Sequence, residues 1–280
     1  MLELHCHTTF SDGTLTPTDL VRTALNAGVR ALAITDHDTL SGWEEAYAAA
    51  AADLEIVPGV ELSTVHNDRS LHVLGFYPNP EKLEPPLRDR VEGRKRRAQK
   101  MADRLASLGY PIELPQLGEG MAPGRPHIAK ALLNAGHVSS MEEAFDRWLG
   151  DNGPAYVCYE KFSAVDGVRL LRDCDAVPVW AHPCLFRGGS VEEVLPELVA
   201  AGLMGVEVYH PAHSPSQVDK LKKMCSEYGL LMTGGSDYHG PNPGISGKEE
   251  TKLNQLKLPL ALLEPLQEAA RELGRASLGG

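Results

Sequence analysis

Apolar runs alternate with amphipathic stretches along the first third of the chain. Leu2–His7, Val29–Thr35, Glu55–Val60 and His72–Tyr77 read as strands, with helices over Thr16–Ala27 and Thr39–Ala52 between the first three. Most of these runs are apolar throughout rather than alternating, as in strands covered on both faces, so the pattern predicts a parallel sheet wrapped by helices. The first helix carries its own start signal: Thr16 as N-cap, Pro17 at the first helical position and Asp19 at the third, with Gly28 closing it.

The rhythm breaks at Pro78-Asn79-Pro80 and again at Pro85-Pro86. Beyond them only helical periodicity remains, predicting helices over 87–108, 126–135 and 140–149. Alternation then resumes: strand Ala155–Tyr159, helix Ala164–Cys174, strand Ala176–His182, helix 190–201, strand Met204–Tyr209, helix 214–228 and strand Leu230–Gly234. The expected organisation is a discontinuous barrel-like α/β domain, 1–79 and 155–280, interrupted by an all-helical insertion over 80–154.

Composition narrows the class without naming the chemistry. With 42% apolar and 23% charged residues, the 280-residue chain has the balance of a globular protein and is not wholesale disordered. No apolar stretch approaches the ~20 residues that cross a bilayer. The opening Leu2-Glu3-Leu4-His5 has neither a basic nor an apolar leader, so a cytoplasmic location is expected. Five scattered cysteines without a Cys-x-x-Cys argue against a disulfide framework or a zinc knuckle. The net charge of −11 argues against broad nucleic-acid binding, but it is unevenly spread. Residues 80–155 hold twelve Lys/Arg and eleven Asp/Glu, net +1, which leaves −12 elsewhere. The segment Arg88–Arg104 is locally basic and would draw an anionic substrate towards the insertion.

The chemistry is written in isolated polar residues beside the apolar runs. His5 and His7 share one face of a strand, and Asp237 and His239 repeat that spacing far along the chain. Asp12, His37, Glu61, His72 and His182 lie near other run boundaries. Such imidazole and carboxylate sets hold two or three divalent cations and point to hydrolysis; Mn, Fe and Zn suit them equally. In α/β barrels, reactive groups come from the C-terminal ends of strands, and every candidate obeys this except His72, which begins one.

Five motifs together resemble the PHP (polymerase and histidinol phosphatase) superfamily of metal-dependent phosphoesterases: Leu4-His5-Cys6-His7 through Ser11-Asp12-Gly13, Thr35-Asp36-His37-Asp38, Pro58-Gly59-Val60-Glu61, Ala181-His182-Pro183 and Gly235-Ser236-Asp237-Tyr238-His239. The resemblance implies a distorted (β/α)7 barrel and two or three divalent metals, commonly Mn. Carried over residue by residue, one metal takes His5, His7, Glu61 and Asp237. A second shares Glu61 and takes His72 and His182, and a third takes Asp12, His37 and His239. Within the insertion, Arg125-Pro126-His127-Ile128-Ala129 and Gly153-Pro154-Ala155-Tyr156-Val157 resemble the subfamily that dephosphorylates 3′,5′-nucleoside bisphosphates, whose members also act as 5′→3′ exoribonucleases. Two positions depart from the family pattern. Glu3 stands where an aspartate is usual, and Cys158-Tyr159-Glu160-Lys161 lacks the usual proline, which weakens Lys161 as a phosphate contact.

The expected substrate contacts are Arg125 and His127, clamping the phosphate that is not cleaved, with Lys161 and Arg187 as further phosphate contacts. A helix start with an arginine suits an anion; the rival role for Arg125 is a surface ion pair. His213 is expected to protonate the leaving oxygen, with Asp237 and Glu61 as the other catalytic groups; its rival role is loop stabilisation. The leading expectation is a metal-dependent phosphoesterase of small nucleotides, with short 5′-phosphorylated single-stranded RNA as a further substrate. Alternatives are a histidinol-phosphate phosphatase and a metal-poor scaffold. No membrane or obligate protein partner is expected.

Overall fold

The computed structural model describes residues 1–50, 52–118, 121–158, 162–241 and 251–278. Strands β1 (Leu2–Glu3), β2 (Ala31–Ile34), β3 (Glu55–His66), β4 (Arg69–Phe76), β5 (Val177–Trp180), β6 (Gly205–Tyr209) and β7 (Leu231–Gly234) form one sheet in chain order. Helices α1 (Pro17–Asn26), α2 (Trp43–Ala49), α3 (Pro80–Ser107), α4 (Arg125–Asn134), α5 (Met141–Ala144), α6 (Ala164–Asp173), α7 (Val191–Ala200), α8 (Pro215–Tyr228) and α9 (Leu263–Leu278) accompany it. The sheet curls until its ends meet. Leu4 N–H donates to the Gly234 carbonyl at 3.3 Å and His7 N–H to that of Tyr238 at 2.9 Å. The result is a distorted, nearly closed seven-stranded barrel. Among the described residues, no helix is long and apolar enough to cross a membrane.

The sheet is not wholly parallel, as the apolar runs suggested. β4 runs antiparallel to both β3 and β5, while the other neighbours are parallel. The polar stretch after Val65 is a hairpin turn: Asn67 and Asp68 both adopt positive φ, 49° and 56°. Two left-handed residues match the twist of a tight hairpin, and Asn and Asp tolerate that conformation better than other side chains. The reversal has a direct consequence. In an antiparallel strand the beginning lies level with the C-terminal ends of its parallel neighbours, so His72, near the start of β4, faces the same rim as the other candidates. Its register opposite Ser63, two residues from Glu61, sets the two side chains diagonally across the hairpin.

α3 also begins earlier than its prolines suggested. The Asn79 side chain accepts from Glu81 N–H at 3.0 Å and Pro80 occupies the first turn, where no amide is needed. Pro85 and Pro86 lie further in and forgo helical hydrogen bonds, at ~3 kcal/mol for an interior proline. Leu83 and Leu87 flank them, fully and almost fully buried in the barrel core. Their burial contributes about 1.5–3 kcal/mol each, which offsets much of the local penalty. The strand expected over Ala155–Tyr159 is absent from Ala155–Cys158, and Tyr159 lies outside the described residues. Here Arg97 and Arg104 of α3 donate to the carbonyls of Val157 and Tyr156, in place of a neighbouring strand.

Three apolar clusters pack around the barrel. A fourth joins Ala98, Met101 and Leu105 of α3 to Ile128, Ala129 and Leu132 of α4 and to Trp148 and Leu149. The second half of α3 and α4 therefore share a core apart from the barrel's.

Candidate metal centre

The polar exceptions singled out in the sequence converge at that rim. Glu61 is the hub. Its Oε2 lies 3.2 Å from His5 Nε2, 3.0 Å from His7 Nε2 and 3.3 Å from His37 Nδ1. Its Oε1 lies 2.8 Å from His72 Nδ1 and 3.1 Å from His182 Nε2. Asp237 Oδ1 sits 3.3 Å from His5 Nε2 and 3.2 Å from His7 Nε2. On the far side, Asp12 approaches His239 Nε2 at 3.3 Å and His37 Nε2 at 3.8 Å.

Local backbone geometry makes this packing possible. His182 and Asp237 both take positive φ, 33° and 52°, turning their side chains back over the barrel immediately after β5 and β7. Gly235 is required for contact rather than for φ: a Cβ there would lie 2.5 Å from the Cβ of His5. The loop carrying Asp12 is tied down by Asp36, which accepts from Thr8 N–H, the Thr8 hydroxyl and the Ser11 hydroxyl at 2.7, 2.6 and 2.5 Å. Asp38 accepts from Ser63 N–H, Arg90 and Arg94, each at 3.0 Å, fixing α3 against the barrel. Asp36 and Asp38 thus hold the frame on either side of His37.

The electrostatics fit divalent ions. Burial alone would raise the carboxyls of Glu61, Asp237 and Asp12, yet the surrounding imidazoles hold all three well below their ordinary values. Reciprocally, burial would lower His7, but the carboxylates push it up to about 10. His37 goes the other way, to about 3, because its desolvation outweighs Glu61 and Asp12. The cluster calls for positive charge at the centre, which imidazole protons or metal ions can provide. Geometry favours the second: His5 Nε2, His7 Nε2, His37 Nδ1 and Asp12 Oδ1 are buried and form no hydrogen bond, though they face one another closely. Neighbouring acceptor atoms without a donor between them are what a cation binds.

Among the described residues, three groups of atoms, each within 4.8 Å of one another, could hold an ion: His5/His7/Glu61/Asp237, His7/Asp12/His37/His239 and His37/Glu61/His72. The first is the set the family resemblance implied. The second adds His7 to the expected trio. In the third, His37 joins Glu61 and His72 where His182 was expected, while His182 remains in contact with Glu61.

A cavity of about 230 Å³ opens over this cluster, walled opposite by Arg94, Arg125, Pro126, Phe145 and Leu185. Arg125 lines the cavity and pairs with Asp151 at 2.9 Å. His127 accepts the Gly124 N–H at 3.1 Å through Nδ1, capping its own helix, and borders an adjoining groove. Arg187 is exposed, and Lys161 lies outside the described residues. His213 is buried, donating from Nδ1 to the Val208 carbonyl at 3.0 Å. His210 stands closer to the cluster, its Nε2 3.8 Å from Asp237, with its ring 5.2 Å from that of His213. Two buried residues were missed in the sequence, Arg94 and Glu207. For Glu207 a signal existed: a lone carboxylate inside the apolar run Gly205–Tyr209.

The PHP domain model matches residues 3–114. Over 85% of its length the chain is 33% identical to a 5′-3′ exoribonuclease of Haemophilus influenzae, spanning 90% of that protein. The chain belongs to the PHP family. Within it, a 3′,5′-nucleoside bisphosphate phosphatase of Chromobacterium violaceum is 31% identical over 87% of this chain and 88% of its own. A solved chain from Bifidobacterium adolescentis, described as a metal-dependent phosphoesterase, superposes with a TM-score of 0.78 at 33% identity, covering 93% of this chain and 96% of that one. This PHP protein is a metal-dependent phosphoesterase.

Proposed function

We propose that the enzyme releases phosphate from small nucleotides bearing two phosphates, 3′,5′-nucleoside bisphosphates foremost. One observation carries this reading: a single cavity is lined both by the histidine–carboxylate cluster and by Arg94 and Arg125. A monoester needs only the first; a second phosphate would lie against the arginine-bearing residues of the same cavity, where bidentate guanidinium hydrogen bonds suit it. In this reading the barrel strands supply the chemistry and the 80–154 insertion supplies recognition.

The proposed ligands are His5, His7, Asp12, His37, Glu61, His72, His182, Asp237 and His239. Divalent ions held there, Mn²⁺ in the first instance, would neutralise phosphoryl oxygens and acidify attacking water. Glu61, with imidazoles on both oxygens, is the shared ligand. Arg125 holds the phosphate that stays, and Arg94, itself anchored by Asp38, keeps that wall in place. His213, which donates from Nδ1 to the Val208 carbonyl and does not line the cavity, takes the loop-stabilising role weighed for it. The enzyme works in the cytoplasm on a soluble substrate.

A second reading is favoured by the exoribonuclease relative at 33% identity: the same site trims short 5′-phosphorylated RNA from its 5′ end. Phosphate release measured with added Mn²⁺ over bisphosphates, mononucleotides, sugar phosphates and histidinol phosphate tests the first reading. The bisphosphates should lead. Much faster turnover of histidinol phosphate would overturn it, and single-nucleotide products from 5′-phosphorylated oligoribonucleotides would support the second.

A further inference from the structure

We infer that Glu207 is a positioning residue for the metal centre: one buried carboxylate that orients His5 through its ring and fixes His182 through its backbone. The inference rests on the proposed role of those two histidines as ligands.

The placement follows from strand periodicity. Val206 and Val208 on β6 pack into the large apolar cluster beneath the helices, so Glu207 between them points into the barrel. It is fully buried there and does not line the substrate cavity. Both of its oxygens are used. Oε1 accepts from His5 Nδ1 at 3.0 Å, and Oε2 accepts the backbone N–H of His182 at 2.7 Å.

Each contact has a distinct consequence. A carboxylate beside His5 Nδ1 requires a proton on that nitrogen, which leaves the Nε2 lone pair facing Glu61 and Asp237 at 3.2 and 3.3 Å. An outer carboxylate that sets tautomer and ring orientation is the usual support for a ligating histidine. At His182 the backbone is left-handed, a conformation unfavourable to a residue with a side chain. β5 pairs with β6 only as far as Trp180 and Val206, so the His182 amide has no strand partner. The Glu207 side chain supplies the missing acceptor one step beyond the ladder. His5 and His182 come from strands that are not neighbours in the sheet, and Glu207 couples them.

Glutamine at this position keeps the shape but has one acceptor oxygen, so it cannot accept from both groups. Calorimetric titration with Mn²⁺ of chelator-stripped wild-type protein and of Glu207→Gln is the test. The expected result is at least one Mn²⁺ bound 10–100-fold more weakly, with an unchanged far-ultraviolet circular dichroism spectrum. Val206→Ala, a core truncation on the same strand, should lower the melting temperature without moving the Mn²⁺ affinity. Equal affinities in wild type and Glu207→Gln would overturn the inference while leaving the proposed centre intact. Wild-type protein that takes up no Mn²⁺ would instead overturn the ligand reading, and this inference with it. Should Glu207→Gln not fold, nuclear magnetic resonance of the Zn²⁺-loaded wild type decides: His5 protonated at Nδ1 is expected, and protonation at Nε2 overturns the inference.

Discussion

The two walls of the cavity differ in how they hold their charge. On the barrel side the groups are short histidines, aspartates and a glutamate near strand ends, buried or half-buried and braced by one another around Glu61. On the insertion side they are arginines on helices, carried by long side chains and braced by carboxylates outside the cluster, Asp38 for Arg94 and Asp151 for Arg125. The insertion also has its own apolar core. In the proposed reading chemistry falls to the barrel wall and recognition to the helical one, the two meeting where Arg90 and Arg94 hold Asp38 beside His37. This separation suits a fold that keeps one reaction and varies its substrates.

The comparison breaks most visibly at the cluster. Asp237→Asn and His7→Ala should each lower kcat by at least about a hundredfold, since loss of an outer support alone costs 10–100-fold. Phosphate-release kinetics with circular dichroism as a folding control measure this, and an unchanged kcat would show that the barrel wall is not the reactive one. Leu132→Ala, deep in the insertion core, should cost about 2–5 kcal/mol in denaturant stability. If the walls are independent, its Mn²⁺ stoichiometry stays at the wild-type value; lost metal would join what has been separated here.

The barrel's buried charge carries a cost that Glu3 makes measurable. Burial raises its carboxyl to about 7 against the pull of the Ser236 hydrogen bond. The folded value lies above the unfolded one, so the associated stability is full below pH 4.5 and lost as pH rises through 7. In metal-stripped protein, Glu3→Gln should therefore raise the unfolding free energy relative to wild type at pH 8, by on the order of 3 kcal/mol, and by much less at pH 5. An equal difference at both pH values would contradict the sign. The smallest effect belongs to the insertion. Arg125→Ala should raise KM for 3′,5′-bisphosphates by about tenfold, ~1.4 kcal/mol, with metal content unchanged. The same rise for mononucleotides would remove its clamping role.

The barrel wall was readable from the chain because each proposed ligand is a polar exception beside an apolar run. His5 and His7 announced their common face by spacing alone. What failed was direction. Nothing apolar marks the Asn67-Asp68 turn, and its two left-handed residues lack the glycine that usually advertises a tight hairpin. With β4 taken as parallel, His72 looked misplaced; its reversal restores it to the rim. The insertion wall was harder to read. Arg94 is one of eight Lys/Arg between Arg88 and Arg104, and only the packing of α3 on Asp38 and Ser63 distinguishes it. His127 pointed to phosphate by position, yet its ring caps its own helix, a local hydrogen bond that spacing does not disclose. Glu207 matters partly through a backbone amide created by the turn at His182, and no residue pattern encodes that.

Crystals grown with Mn²⁺ and measured near the manganese absorption edge would locate the ions directly. The expected anomalous map has two or three peaks around Glu61, within coordination distance of His5, His7, His72 and Asp237. A map with no peak among these side chains, from protein that is active in the same buffer, would contradict the assignment of this cluster as the reactive centre.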